Sequence, residues 1–456
     1  MNNKFLELRE KYPDFIYDSY KIDDIDNSYL ITFYFVIPNL VKFNPTLRID
    51  KKYITNEELD KNFINYLVFH IGLIELISYV KCTCSPNIII RAGYINEEQI
   101  KFFKKLYYYG LGEFLYVNNV DVEMDNLFKL VIESEEKKVL DVNYKGIGNL
   151  IPVGGGKDSN VCLELLRDDY EDNSCFMLNP KKVYLDCVEV AGYSDSKVIK
   201  VYRTIDKNLL DLNKKGFLNG HTPFSSLLAF VTYLVAYLSN KRYIVLSNEG
   251  SANESTVIGT KVNHQYSKTF EFENDFNQYT IKYFKIDIKY FSLLRPLTEF
   301  QIGMLFSKLD KFHKVFKSCN VGSKGNEWKW CCKCPKCLFV YIILSPFLYK
   351  EKLLKIFDCD LFENKELLEI FNELLGYADT KPFECVGTYS EVRYAVSLTI
   401  NKLDKLDEEL PYLLKYYKDN YELELDLNME KRYNSEHNID LYFEEILKKE
   451  LDKYVR

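Results

Sequence analysis

Apolar positions in the first 140 residues follow two different periods. Residues 28–37, SYLITFYFVI, are β-branched and aromatic and stop at Pro38, which predicts a strand. Residues 65–80, NYLVFHIGLIELISYV, are apolar all round and predict a buried helix. His70 falls within it and is expected to be a hydrogen-bonded core histidine. A further helix is predicted over 95–114, opened by Asn96, Glu97 and Glu98 and stopped by Gly110 and Gly112. From residue 147 strand-like and helix-like segments alternate. GNLIPV enters a glycine turn and NVCLELLR follows as a helix. SCFMLN (174–179), KVYLDCVEV (182–190), KVIKVYRTI (197–205) and RYIVLS (242–247) read as strands, and residues 222–238 as a long buried helix. Such alternation predicts α/β architecture, a parallel sheet with helices on both faces. The expected organisation is an α+β N-terminal domain over 1–140, the sheet domain over 141–318, a cysteine knuckle over 319–340 and a mainly helical C-terminal region over 341–456. The last 55 residues are charge-dense and amphipathic, as expected of helices packed on one face.

Charge narrows the function classes. The 456 residues hold 60 Lys and Arg against 67 Asp and Glu, a net charge of −7. That balance argues against a general duplex-binding protein but leaves room for a local basic cleft. With 47% apolar residues, 37 Tyr and 31 Phe, the chain has ample material for a core and is not of the disordered class. The apolar stretches at 66–74, 227–238 and 338–349 fall short of the roughly 20 residues of a spanning helix. MNNKFLELREKYPDF is charged throughout, unlike a secretory leader. A cytoplasmic protein with reduced thiols is expected, and its 12 cysteines then call for packing, metal or chemistry.

The segment IPVGGGKDSNVCLELL, from residue 151, carries the strongest chemical signal. Three glycines let the backbone turn several N–H groups onto one anion, and the following helix aims its positive end at the same point. Lys157 adds a cation, Ser159 a hydroxyl donor and Asp158 a carboxylate able to hold Mg²⁺. The spacing is neither GxxxxGK[ST] nor GxGxxG. Cys331, Cys334 and Cys337 form CxxCxxC, with Cys319 upstream, a set able to surround Zn²⁺ tetrahedrally. Four thiolates leave no open position, so the metal's role is structural. Glu249 and Glu254, in SNEGSANES, follow a predicted parallel strand and are candidate ligand carboxylates or parts of a polar turn. His221 contacts ligand or caps the helix after it. His264, beside Lys261 and Lys268, is the better ligand-binding candidate. Arg203 and Arg295 are further candidates, with a surface or structural role the default for Arg203.

The glycine turn resembles the PP-loop ATP pyrophosphatase superfamily, whose signature is SGGxDS. Gly155, Gly156, Asp158 and Ser159 match it, and Gly154 replaces the first serine. The resemblance implies ATP cleaved between the α and β phosphates, with the strand Cys175–Leu178, Met177 included, laid against adenine. RPLTEFQIGMLF (295–306) resembles a later segment of that superfamily, with Glu299 where a lysine is common. Seven segments resemble, in order, the narrower UDP-N-acetylmuramoyl-L-alanyl-L-glutamate epimerase family of peptidoglycan synthesis. They are PVGGGKDS, NGHTPFSSLLAF, LSNEGSANEST, VNHQYSKTFEFE, LLRPLTEFQIGM, CxxCPKCLF and KPFECVGTYSEV, spanning residues 95–395 with their surroundings. This resemblance implies a PP-loop (adenine nucleotide alpha hydrolase-like) fold, with ATP, Mg²⁺ and structural Zn²⁺ as cofactors. It implies a UDP-linked muramoyl dipeptide as substrate, with no nucleic acid or membrane partner. The candidate catalytic residues are Asp158, Lys157, His264 and Glu254, and the candidate ATP-binding residues are Gly154, Gly155, Gly156, Ser159 and Met177. His221, Lys268 and Arg295 go to substrate, and Asp158 to Mg²⁺. Related enzymes forming 7-cyano-7-deazaguanine carry a similar knuckle with glycine where Cys332 stands, which implies Cys332 as bystander; a swap with Cys331 stays open. The proton-transfer base is open among His264, Glu254, Cys187 and Cys385. The alternative function is another PP-loop reaction, modifying a nucleobase or tRNA.

Overall fold

The computed structural model describes residues 2–136, 141–257, 259–260, 262–322, 329–426 and 428–454. Lys261 lies outside them. β1 (Asp14–Ile25) turns into β2 (Ser28–Ile37) through Asp26, whose φ of 51° is left-handed. β2 pairs antiparallel with β3 (Val41–Phe43) and β4 (Thr46–Asp50). On its other side β1 runs parallel to β5 (Asn87–Ile90), and β5 parallel to β6 (Lys129–Ile132). The later strands are β7 (Asn149–Pro152), β8 (Asn173–Leu178), β9 (Val198–Thr204), β10 (Tyr243–Leu246) and β11 (Lys289–Ser292). They are all parallel, in the order β11-β10-β7-β8-β9. β9 pairs antiparallel with β4, Leu47 opposite Arg203, so one eleven-stranded sheet runs through both halves of the chain.

Alternation along the parallel strands feeds two cores. Leu150, Phe176, Ile244 and Tyr290 point to one, while Ile151, Met177, Val245 and Phe291 point to the other. The first core is closed by helices Lys61–Glu75, Glu97–Gly110, Phe224–Leu238 and Phe270–Tyr283. The second is closed by helices Lys157–Leu165, Glu299–Ser307, Pro335–Leu344 and Tyr389–Lys405. The last helix, Leu441–Leu451, buries Phe443, Leu447 and Leu451, with Phe443 4.9 Å from Phe291 between ring centres. Among the described residues one stretch, Lys61–Val80, is long and apolar enough to cross a membrane, and 89% of its apolar window is buried.

One predicted strand is a helix. KVYLDCVEV forms helix Lys182–Val190, burying Val183, Cys187 and Val188 on one side. Its β-branched residues suit a strand, but β8 and β9 are parallel and need a crossover, and burial at 183 and 187 has the helical period. His70 is a core histidine as expected. Its Nδ1 lies 2.8 Å from the Tyr66 carbonyl and its Nε2 2.8 Å from the Tyr279 hydroxyl, and burial lowers its pKa to about 3.

Arg203 also has the structural role expected by default. From β9 its guanidinium donates to both Glu75 carboxylate oxygens at 2.8 Å, and the two side chains are only 10% and 3% exposed. Removing one partner leaves a buried charge unpaired, so Arg203→Ala is expected to cost about 3–5 kcal/mol. The urea midpoint measures it; a shift worth less than about 1 kcal/mol would show the pair to be dispensable.

Candidate active site

The glycine turn follows β7 and leads into helix Lys157–Leu165. Gly155 has φ +71°, and a Cβ there would meet Val183 and Tyr184 at 2.9 Å, so this position requires glycine. Gly154 has open space on its Cβ side, so no steric constraint excludes the missing serine. Gly156 is the N-cap and supplies no side-chain acceptor, which leaves the first-turn amides able to bind an anion. Ser159 donates to the Gly156 carbonyl at 3.1 Å. Lys317 N–H donates to the Gly155 carbonyl at 2.9 Å, holding the turn from outside. Met177 follows Phe176, whose carbonyl accepts from Val153 N–H at 2.9 Å; the Met177 side chain is buried.

Strand order reverses between β7 and β10, and the crevice beyond the carboxyl ends of such strands is where open parallel sheets bind ligands. Asp158, Glu249 and Glu299 follow β7, β10 and β11, three adjacent strands. One oxygen from each lies within 4.8 Å of the others. Lys157, 1% exposed, donates to both Asp158 and Glu299. Glu299 is wholly buried; burial and the charges of Asp158 and Glu249 outweigh Lys157 and raise its pKa to about 8. Burial opposes ionisation of Asp158 too, but Lys157, Lys336 and Lys268 overcome it and lower its pKa. Glu299 Oε1 is buried without a hydrogen-bond partner, an orphan acceptor that suits a divalent cation shared with Asp158 and Glu249. Its backbone N–H donates to Glu391 Oε1 at 2.6 Å, locking this helix start to the capping box of helix Tyr389–Lys405.

Arg295 lies in the wall of the site, wholly buried, instead of at its surface. Its guanidinium donates to the Glu249 carbonyl at 2.7 Å, the Lys268 carbonyl at 2.6 Å and Glu273 at 3.1 Å. It therefore shapes two site segments from behind. Glu254 is paired with the buried Lys381 at 2.5 Å. Cys187 packs beneath the turn, 3.7 Å from the Gly155 carbonyl, and burial raises its pKa to about 11.

A second cluster adjoins this one. His264 Nδ1 bonds to Glu113, and its imidazole is also hydrogen-bonded to the Cys385 sulfur. Burial opposes its charge, yet these two partners raise its pKa to about 9. His221 lies tilted against it, ring centres 4.3 Å apart, and burial lowers its pKa to about 4. It does not cap the following helix, whose N-cap is Pro223. Lys268 Nζ stands 3.0 Å from Cys385 Sγ, and Lys336 donates to the Cys385 carbonyl. Burial would raise the thiol pKa, but Lys268, His264 and Lys336 together lower it to about 6. Glu113, Lys336 and Lys381 escaped the sequence reading. Lys336 had a visible cue, its place inside CxxCPKC, whereas Glu113 in LGEF had none.

Residues 7–293 match the MurL N-terminal domain and residues 315–421 the MurL C-terminal domain. The chain belongs to the MurL epimerase family. Among curated relatives, UDP-N-acetyl-alpha-D-muramoyl-L-alanyl-L-glutamate epimerase of Xanthomonas oryzae pv. oryzae is 33% identical over 338 residues, 73% of this chain and 74% of that one. The enzyme of the same name from Salinispora tropica is 35% identical over 329 residues, covering 71% and 70%. That from Micromonospora sp. is 33% identical over 329 residues, covering 71% and 72%. The names support the epimerase reading and lend nothing to the nucleobase or tRNA alternative. The glycine turn, Glu249 and His264 fall in the MurL N-terminal match, and the cysteine knuckle and Cys385 in the C-terminal one. Glu299 lies between the two matches.

In this MurL-family chain Cys319, Cys331, Cys334 and Cys337 gather at one point. Sγ–Sγ distances are 3.8 Å for Cys319–Cys334, 3.7 Å for Cys331–Cys337 and 3.5 Å for Cys334–Cys337. Sulfurs at about 2.3 Å around a tetrahedral zinc stand about 3.8 Å apart, so the set fits that ion. Cys332 turns away at φ 56°, its sulfur set against that of Cys359 instead of the cluster. Cys331→Ser and Cys334→Ser are expected to lose most bound zinc, about one ion per chain, and to melt lower, with Cys332→Ser keeping its zinc. Elemental analysis reads this; zinc retained in Cys331→Ser and lost in Cys332→Ser would reverse the ligand choice.

Glu299 also makes a pH prediction. Its pKa is about 8 in the fold against an ordinary 4.5, so the folded state holds the extra proton. That stabilisation is complete below pH 4.5 and is lost as pH rises through about 8. The Tm of cation-free protein should fall across this window, and Glu299→Gln should flatten the fall. An unchanged slope in the variant would assign it to other groups.

Proposed function

We propose that the protein is an ATP-dependent epimerase that adenylates the terminal L-Glu of UDP-MurNAc-L-Ala-L-Glu and inverts its α-carbon, releasing AMP and pyrophosphate. The observation that carries this reading is the uncapped helix start after the glycine turn, facing three carboxylates at a strand-order reversal. The names of the relatives supply the substrate.

The chemistry explains the use of ATP. An α-proton beside an ionised carboxylate is very weakly acidic, because its loss builds a second negative charge. Converting the carboxylate into a mixed anhydride with AMP removes that charge and lets the carbonyl oxygen take the new one. On this reading the segment is a PP-loop. The N–H groups at Gly156–Asp158 and the Ser159 hydroxyl bind phosphate, and Lys157 adds positive charge where pyrophosphate leaves. Asp158, Glu249 and Glu299 would hold Mg²⁺, which supplies charge neutralisation for the polyphosphate. The β8 backbone at Met177 lies against adenine. The four knuckle thiols would hold a structural Zn²⁺.

A cavity of about 710 Å³ lined by Tyr108, Tyr109 and Tyr116 borders Gly112 and Val262, next to Glu113 and His264. It suits the nucleotide-sugar end of the substrate, with His221 and Lys268 facing the peptide carboxylates. ATP and a nucleotide-linked precursor are cytoplasmic substrates, so the reading carries that location with it.

Incubation with ATP, Mg²⁺ and UDP-MurNAc-L-Ala-L-Glu in D₂O should place deuterium at the Glu α-carbon and release AMP. Absence of both would remove the epimerase reading. Asp158→Ala should lower pyrophosphate release at least ~100-fold in a variant that still folds by circular dichroism but melts lower, because buried Lys157 loses a partner; retained turnover would take the glycine turn out of the chemistry.

A further inference from the structure

The four candidate bases are not equivalent in the fold. Glu254 is engaged by Lys381, and Cys187 lies beneath the turn. His264 is bonded through Nδ1 to the Glu113 carboxylate and its imidazole also to the Cys385 sulfur, and the two hold it as a cation unable to accept a proton. Cys385 remains, partly exposed, with Lys268 at 3.0 Å and His264 against its sulfur. A thiol paired with an imidazole that is itself oriented by a carboxylate is the general arrangement of an activated thiolate.

Its location fits as well. Residues 380–385 lie over the loop that carries His264: Lys381 N–H donates to the Thr256 carbonyl at 3.1 Å, and His264 N–H to Thr256 Oγ1 at 3.0 Å. Lys268 and Lys336, which flank Cys385, are the same cations that lower the pKa of Asp158. The sulfur therefore shares its positive neighbours with the phosphate-binding turn. A glutamyl group activated there would have its carbonyl oxygen near those ammonium groups.

We propose that Cys385 is the catalytic base that takes the α-proton of the activated glutamyl residue, and that His264 and Glu113 are positioning residues that keep its sulfur ionised. This rests on the adenylation reading given above. The sulfur lone pair forms the S–H bond as the Cα–H bond breaks, and the C–H electron pair moves into the Cα–C bond, placing charge on the carbonyl oxygen. A solvent-exchanged donor on the opposite face then supplies the new α-hydrogen, and Cys385 returns its proton to solvent. The groups facing the sulfur are His264, Lys268 and Lys336, with Glu113 and His221 beyond His264.

Two measurements on the full chain test this. Peptide-mapped alkylation of Cys385 by iodoacetamide against pH needs no substrate. A midpoint near pH 6 is expected, rising by at least one unit, a tenfold loss of reactivity at low pH, in Glu113→Gln and His264→Asn. A wild-type midpoint near the ordinary thiol value of about 8.5 would overturn the proposal. In the second, Cys385→Ser and Cys385→Ala should lose α-deuterium exchange at least ~100-fold while keeping ATP–pyrophosphate exchange within about threefold. Retained α-exchange in either folded variant, or a covalent glutamyl adduct on Cys385, would overturn it. Loss of ATP–pyrophosphate exchange in the wild type would instead strike the adenylation reading and leave the alkylation result standing.

Discussion

A buried ammonium among carboxylates holds the site together. Lys157 is 1% exposed and touches Asp158 and Glu299, with Glu249 close by. A charge so removed from water persists only when paired, and each partner here is fixed by a different element. Asp158 comes from the turn after β7, Glu249 from the loop after β10, and Glu299 from the helix after β11. The pairing thus ties three strand ends to one point. Glu299 extends the tie, since its N–H caps onto Glu391 and so onto the C-terminal helical layer. From behind, Arg295 and Glu273 brace the loops that carry Glu249 and Lys268.

The charges enclosed around the site are matched pair by pair. Lys157, Lys336 and Lys381 are all under a tenth exposed despite a net charge of −7. Each is anchored by a named acceptor: Asp158 and Glu299, the Cys385 carbonyl, or Glu254. Overall charge says nothing of such an arrangement, because buried cations and buried carboxylates, Glu249, Glu273 and Glu299 among them, offset each other inside the fold.

What the sequence made legible was local. The glycine turn, the helix start at Asn96 and the CxxCxxC spacing are each written within a few residues, and a turn, a capped helix and a thiol cluster stand at those positions. Features assembled from distant residues were not legible. Glu113 meets His264 across 151 positions, and β4 meets β9 across more than 150. Residues 182–190 misled because their β-branched content suits either element and only the parallel neighbours decide it. Arg295 shows another limit: its motif gives no sign that its guanidinium is buried and holds the carbonyls of Glu249 and Lys268. Cys331 and Cys332 are adjacent, and which one faces the cluster depends on the left-handed backbone at Cys332.

The cysteine knuckle is joined to the chemistry by its own chain. Lys317, two residues before Cys319, holds the Gly155 carbonyl, and Ser318 lies 2.9 Å from where a Cβ on Gly156 would stand. Lys336 sits between Cys334 and Cys337, so whatever fixes those two sulfurs fixes the backbone that aims its ammonium at Cys385. The segment carrying the four thiols sets both the outer wall of the glycine turn and one of the cations facing Cys385. A metal held by those thiols would act on geometry at both points at once. That is why the cluster and the glycine turn, more than 160 residues apart at Gly155 and Cys319, form one constellation.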